Sequence, residues 1–535
     1  MARWLSAPVG FGLVAALYLL SFPYHPGLRS PNELCRLWQS RALVDDGVLH
    51  LNAVMQRLGP VGDLSCTAVV EEGGRDVLYP CVGPNAARAG VKARWYYPSK
   101  APLLSFLGAP VYAALKAVHG QVSELRQVLW SRLVVTIAPA LALLVLLRRF
   151  LRAFVPEDTA DAFVVVYALG SMAFSYAEAF MSHQLTAVLL FAAFYAAWRV
   201  ERGEWRERGY VLAGAAAGAA VLAEYTAALY VVAVASFTVA SRWGRWGHVA
   251  RAAGLVLLGA APFLGAVLAY HQVVFGGPFV SGYKFLNDAA YMGWHEGGFL
   301  GIKVPDVKAL GLSYFSPLRG LFALSPFLLV AFPGLREVRA GHRAHFVFLG
   351  VLLGLASYFT SSFDYTSWGW TVGPRHLTPL VPFLVLPAAL TFERARRAAP
   401  AWAAAVGGLG VSSVLATQVV GFVNYVPDDV STSLWGLAVP LLQQGASPVS
   451  WLGAVVGNSA AGVLLVGLVV AAVAWVAGRF ASAGRVPAVL IAVMALHLGV
   501  LRLATRHDAA DEAAVRFLRS VWVAPAGARL DLGER

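Results

Sequence analysis

Between the apolar segments of this chain, every second gap is crowded with arginine. The basic gaps read Arg148-Arg149-Phe150-Leu151-Arg152, then 199–208, 242–251, 336–343, 394–397 and 479–485, and the other short gaps mostly lack such clusters. Short loops rich in Lys and Arg stay in the cytoplasm. The alternation therefore carries the chain back and forth across a bilayer and sends the remaining loops to the outer side. The composition agrees: 58% of the residues are hydrophobic and 13% charged, against about 25% charged in a soluble domain. Much of the net charge of +13 belongs to these turns, so no nucleic-acid partner is implied. The chain reads as an all-α polytopic membrane protein, with about 13 transmembrane helices and a small periplasmic subdomain in its first outer loop.

Candidate spans run over 4–22, 128–147, 161–180, 184–198, 210–223, 226–240, 252–272, 318–335, 344–360, 376–392, 401–423, 451–478 and 486–503. An odd count places the N-terminus inside and the C-terminus outside. The first run ends in Phe22-Pro23-Tyr24-His25-Pro26, a poor cleavage site, and is read as an uncleaved span. The stretch 210–240 has Glu224 in its middle. One helix there would bury the acid at mid-bilayer at a cost of about 3 kcal/mol and break the arginine alternation. Two short spans meeting at Glu224 on the outer side avoid both. The apolar stretch 103–118 would flip every later loop if it crossed, so it is taken as an outer helix at the interface. The outer segments are then 23–127, 273–317, 424–450 and a tail, 504–535.

All three cysteines, Cys35, Cys66 and Cys81, fall in the first outer segment, where an oxidising compartment preserves disulfides. Three pairings are open. Cys66–Cys81 is preferred because the two flank Glu71-Glu72-Gly73-Gly74-Arg75-Asp76, a turn signal between two β-like runs. The spacing fits no zinc site.

Unusual polar residues collect at the outer face. Glu33 stands in Ser30-Pro31-Asn32-Glu33-Leu34-Cys35-Arg36. Ser30 with Glu33 has capping-box spacing; the other reading is a carboxylate held above the membrane as a general base or metal ligand. Tyr96-Tyr97-Pro98-Ser99-Lys100-Ala101-Pro102-Leu103 has a stiff, extended backbone. Its Lys100 either holds a lipid phosphate as a point charge or snorkels to ordinary headgroups. Glu178, Ser182 and His183 stand at one outer turn and Glu224 at the next. Glu33, Glu178 and His183 are candidate metal ligands. Carboxylate with imidazole suits Mn2+ or Zn2+, and carboxylate alone suits Mg2+. Each is equally a candidate cap or interhelical hydrogen bond.

Arg375-His376, in Gly373-Pro374-Arg375-His376, opens a span at its outer end, where arginine is disfavoured. A guanidinium, an imidazole and the free N–H groups of a helix start form a phosphate cradle. Trp368 and Trp370 fit an interfacial aromatic belt. The second outer segment carries Phe275-Gly276-Gly277-Pro278-Phe279 and Ser281-Gly282-Tyr283-Lys284. These form either a packed loop or a sugar-stacking lip, with Tyr283 and Tyr97 as candidate substrate-binding residues.

This layout resembles the GT-C class of membrane glycosyltransferases, particularly bacterial relatives of protein mannosyltransferases and aminoarabinose transferases. Those carry an acidic motif in the first outer loop, then a Lys-Pro-Pro-Leu-like motif before an interfacial helix. Asn32-Glu33 stands at the first position and Lys100-Ala101-Pro102-Leu103 at the second. Trp130-Ser131-Arg132 is similar to the arginine entry of the second span, and Gly373-Pro374-Arg375-His376-Leu377, with Pro379 and Pro382, to a Gly-x-Arg-Tyr-like element. Residues 1–400 carry the likeness, leaving 401–503 as C-terminal transmembrane helices and 504–535 as an outer tail. Asn-Glu lacks one carboxylate of the acidic pair, and alanine replaces the first proline of the lysine motif.

The resemblance implies an inverting glycosyltransferase in a bacterial inner membrane, with its N-terminus cytoplasmic and its C-terminus periplasmic. A polyprenyl-phosphate-linked sugar would be the donor, and a lipid, glycan or protein the acceptor. Glu33 would take the acceptor's proton, while Lys100, Arg375 and His376 would hold the departing phosphate. A divalent metal, Mg2+ or Mn2+, is compatible and not required. A multi-pass transporter or lipid-linked glycan flippase would also explain the spans and acids, but neither inverted repeats nor midplane helix breaks stand out in the sequence. A non-enzymatic assembly subunit would tolerate loss of Glu33, Lys100 and Arg375 together.

Overall fold

The computed structural model describes residues 6–21, 30–83, 90–296, 301–363, 369–444, 450, 460–484 and 486–521. Trp368, the start of the 451–478 segment and the tail beyond 521 lie outside the described residues. In lipid, a backbone must satisfy its own hydrogen bonds, and a helix does so within one segment. Among the described residues, six helices are long and apolar enough to cross a membrane: Glu124–Leu151, Trp246–Phe275, Arg343–Ser362, Arg375–Ala398, Pro400–Gly421 and Gly462–Ala481. Shorter apolar helices include Ala7–Leu20, Leu103–His119, Gly209–Ala223, Ala227–Ser241 and Pro487–Leu503. This is a polytopic membrane protein.

The helices follow the apolar segments of the sequence, with two departures. Segment 161–180 is not one helix. Glu157–Leu169 stops at Gly170, and Met172–Ala177 restarts with Ser171 Oγ accepting from the Ala173 amide at 3.2 Å. Segment 318–335 is also broken, into Leu321–Leu324, a 3-10 turn Pro326–Val330 and Ala331–Gly341. Pro326 lacks the amide that a continuing helix needs. The stretch 210–240 divides at Glu224, whose backbone is extended (φ −154°, ψ 118°) between Gly209–Ala223 and Ala227–Ser241.

Packing unites these helices. One apolar core runs from Val14 and Leu17 through Phe163, Phe191 and Phe194 to Leu384, Phe392, Trp475 and Phe480. Gly209–Ala223 and Trp246–Phe275 meet backbone to backbone, because a Cβ on Gly214 would collide with the Val256 carbonyl. Small residues permit such approaches between membrane helices.

Segment 23–127 folds the two β-like runs around 71–76 into strands and adds a third, the part of the protein that is not all-α. Strands β1 (Leu64–Glu72), β2 (Arg75–Pro80) and β3 (Val91–Pro98) form an antiparallel sheet in the order β2-β1-β3. Gly73 and Gly74, both at positive φ, make the β1–β2 turn. Thr67 of β1 lies between Pro80 and Trp95. Cys66 and Cys81 are joined by a disulfide, and Cys35 is a buried free thiol. The sheet grips segment 273–317. The Asn287 amide donates to the Leu64 carbonyl at 2.9 Å, and Ser65 Oγ to the Gly282 carbonyl at 2.8 Å.

The arginine-rich turns gather at one end of the bundle. Asp158 receives Arg396 through its carboxylate and Arg479 through its carbonyl, both at 3.0 Å. Arg148 pairs with Asp161, and Arg242 with Glu201, each at 2.5 Å. Arg394 pairs with Glu337, and His342 packs on Phe154. Three helices then fix the opposite end. Ser182–Glu201 runs from His183 to Glu201, Arg375–Ala398 runs from Arg375 to Arg396, and Gly209–Ala223 runs from this basic end to Glu224. His183, Glu224 and Arg375 therefore stand together, a helix length away from the basic turns.

Candidate functional site

The lowest layer of this end is a buried ion pair. Pro31–Arg41 begins after Ser30, whose hydroxyl makes no cap bond. Glu33 instead turns into the bundle toward Arg132 of Glu124–Leu151. Arg132 Nη2 donates to both Glu33 oxygens, at 2.9 and 2.5 Å, and Nε to Oε2 at 3.1 Å. The two side chains are 0% and 1% exposed. Such a pair offsets its desolvation only through close, bidentate contact. Beside it, Glu178 accepts from Ser21 Oγ at 3.3 Å.

Glu33, Glu178 and His183 were the residues expected to hold Mg2+ or Mn2+. They do not form a ligand set. Both Glu33 oxygens carry a guanidinium, Glu178 faces Ser21, and His183 faces Glu224. Among the described residues, no group of three or more His, Cys, Asp or Glu side chains is placed to hold a metal ion.

Above this layer lies a cluster of cations and carboxylates. Lys100 Nζ meets Asp63 Oδ1 at 2.9 Å, with side chains 16% and 19% exposed. Asp63 sits at φ 62° just before β1, in the left-handed region that few non-glycine residues adopt. The Ser99 amide and hydroxyl hold it from β3's end, at 3.0 and 3.3 Å. Burial pushes the Asp63 carboxyl up, but Lys100, Arg375 and Arg36 outweigh that and hold it below the usual carboxylate range. The Arg375 carbonyl accepts from Thr378 Oγ1 at 2.7 Å, but its guanidinium forms no ion pair or hydrogen bond among the described residues, and Nε is buried without a partner. Arg36 donates through Nη1 to the Asn32 carbonyl at 2.7 Å and through Nη2 to Ser182 Oγ at 3.3 Å. Its Nε is also buried and unpartnered.

Glu224 completes the cluster. Its Oε2 accepts from Ser182 Oγ at 2.6 Å and lies 4.0 Å from His183 Nδ1. The His183 ring lies edge-on to His376, 5.3 Å between centres, and the Tyr230 hydroxyl donates to the His376 carbonyl at 2.6 Å. Tyr283 stacks on His295, 4.2 Å between centres and 8° from parallel. Burial pushes its phenol up; Glu224 and Asp63 add to that, while Arg375 and Arg36 oppose it. Tyr283 is thus within electrostatic reach of both carboxylates and both guanidinium groups. Tyr97 does not line this cluster. It packs with Tyr270, Phe275 and Phe285 in an aromatic core under the sheet.

Sequence reasoning passed over Asp63 and Arg36 as site residues. Arg36 was within reach, because it follows Asn32 by one helical turn. Asp63 carries no local signal; only the pairing of β1 with β3 brings it to Lys100.

No family model matches the sequence, and no curated protein matches it. Among solved structures, the chain is similar to ArnT from Cupriavidus metallidurans in its apo state, at 16% identity and a TM-score of 0.47, covering 92% of this chain and 77% of that one. The same protein bound to undecaprenyl phosphate gives 15% identity and 0.46 over the same shares. Archaeal oligosaccharyltransferase AglB from Archaeoglobus fulgidus, in complex with an inhibitory peptide and a dolichol-phosphate, gives 12% identity and 0.40, covering 74% of this chain and 50% of that one.

Proposed function

We propose that this protein transfers a sugar from a polyprenyl-phosphate carrier to a hydroxyl acceptor at the outer face of a bacterial inner membrane. One observation supports the reading above all: the Arg375 guanidinium, unpartnered among the described residues and near Lys100, Arg36 and His376, at the end of the bundle opposite the basic turns. A guanidinium without a carboxylate is a ready site for a phosphate. The carrier phosphate is the leaving group, and its negative charge grows in the transition state. Fixed cations stabilise that charge most where water is excluded. Lys100 joins Arg375 in this role as the phosphate draws it from Asp63. The isoprenoid tail lies between the apolar helices. Tyr283, stacked on His295, offers an aromatic face to the sugar. In-line displacement by the acceptor oxygen inverts the anomeric centre. Glu33 fixes Arg132 beneath the site.

The test is binding of undecaprenyl phosphate to the purified protein in nanodiscs, alongside transfer from a radiolabelled polyprenyl-phosphate sugar. Arg375→Ala should weaken binding at least tenfold and abolish transfer. Unchanged binding in that variant, or lipid flux across proteoliposomes without any transfer, overturns the proposal.

A further inference from the structure

Glycosyl transfer to a hydroxyl needs a proton acceptor, and four carboxylates lie near the cluster. Three are occupied. Glu33 is held by Arg132 through both oxygens. Glu178 is fully buried against Ser21. Asp63 is tied to Lys100 and lies among the cations, on the side where a departing phosphate belongs. Glu224 differs from all three. Its Oε2 takes the Ser182 hydroxyl, and Oε1 accepts no hydrogen bond among the described residues. The side chain is 10% exposed, and among the described residues no Lys or Arg pairs with it. Its position is enforced by the chain, because the helix Gly209–Ala223 stops so that an extended residue can present the acid. A relay orients it: Arg36 Nη2 donates to Ser182 Oγ, which donates to Glu224 Oε2.

We infer that Glu224 is the catalytic base, taking the acceptor's proton on its free Oε1. This rests on the transferase reading above. As the acceptor oxygen bonds to the anomeric carbon, its proton passes to Glu224. The bond from that carbon to the phosphate oxygen breaks, and the electron pair leaves on the phosphate. Arg375 and Lys100 receive the charge. Glu224 then returns its proton to solvent. Ser182 is a positioning residue, acting through the carboxylate it holds.

The experiment compares Glu224→Gln, Glu224→Asp and Ser182→Ala with the wild type, in transfer turnover and in affinity for undecaprenyl phosphate. Loss of a general base costs about 10²–10⁴-fold, so Glu224→Gln should fall by that factor. Its lipid affinity should stay within about threefold of the wild type, which also reports folding. Glu224→Asp should recover part of the turnover, and Ser182→Ala should lower turnover while sparing affinity. Glu224→Gln turning over within tenfold of the wild type overturns the inference alone. So does a loss of lipid affinity as large as that of Arg375→Ala. A wild type that neither binds the lipid nor transfers sugar overturns the transferase reading, and this inference with it.

Discussion

Removing one member of the Glu33–Arg132 pair should destabilise the protein far more than removing both. The two side chains are sealed from solvent and share three contacts of 2.5–3.1 Å. Glu33→Gln leaves a buried guanidinium that still feels the Glu178 carboxylate but has lost its bidentate partner. Arg132→Met leaves a buried carboxylate without its ion-pair partner. Breaking a buried pair from one side costs about 3–5 kcal/mol, whereas replacing both members with apolar residues of similar volume is neutral or gains about 1–4 kcal/mol. The single variants should therefore each lose several kcal/mol, and Glu33→Leu combined with Arg132→Met should regain most of it. Denaturant titration in mixed micelles, followed by tryptophan fluorescence and arranged as a double-mutant cycle, measures the coupling directly. The double variant should also keep measurable transfer. A double variant no more stable than the worse single would refute the reasoning. A Glu33→Gln protein of native stability and no turnover would return the role of base to Glu33.

Segment 23–127 yields two further expected outcomes. Asp63 titrates below its unfolded value of about 3.9, so its contribution to stability is complete above that pH and disappears as the pH falls through the lower folded value. Thermal unfolding between pH 6 and 3 should therefore be flatter in Asp63→Asn than in the wild type, and parallel curves would remove the Lys100–Asp63 pair as a stabilising contact. The Cys66–Cys81 bridge closes a separation of 15 residues, worth about 3 kcal/mol. Replacing both cysteines by serine should expose the β1–β2 hairpin to proteolysis while leaving the helices intact; equal cleavage of both proteins would contradict this.

The helices were legible because their signal is local and strong. Runs such as 252–272 and 401–423 announce themselves by hydropathy, and the arginine turns assign their ends. The break at Glu224 was legible for the same reason, since an acid in mid-bilayer is too costly. The breaks at Gly170 and Ser325 were not, because apolar residues flank them and no charge marks the turn. In the site, Arg375, His376, Glu224 and Lys100 were visible as polar residues at odd depths. Their pairing was not. Whether Glu33 meets Arg132 or a metal depends on how Pro31–Arg41 rotates against Glu124–Leu151, and no spacing within either helix records that. Tyr97 misled because closeness to Lys100 in the chain does not record that its ring is taken up by the aromatic core with Tyr270, Phe275 and Phe285.

The ion pairs among the basic turns tie successive helix ends to one another through Asp158, Glu201 and their neighbours. At the opposite rim the ties are fewer and lie inside, with Glu33–Arg132 and Lys100–Asp63 among them, while the Arg375 guanidinium stays uncommitted among the described residues. The donor proposed above, with its long isoprenoid tail, would then meet its phosphate site from within the bilayer, between apolar helices, and need not thread in from the water.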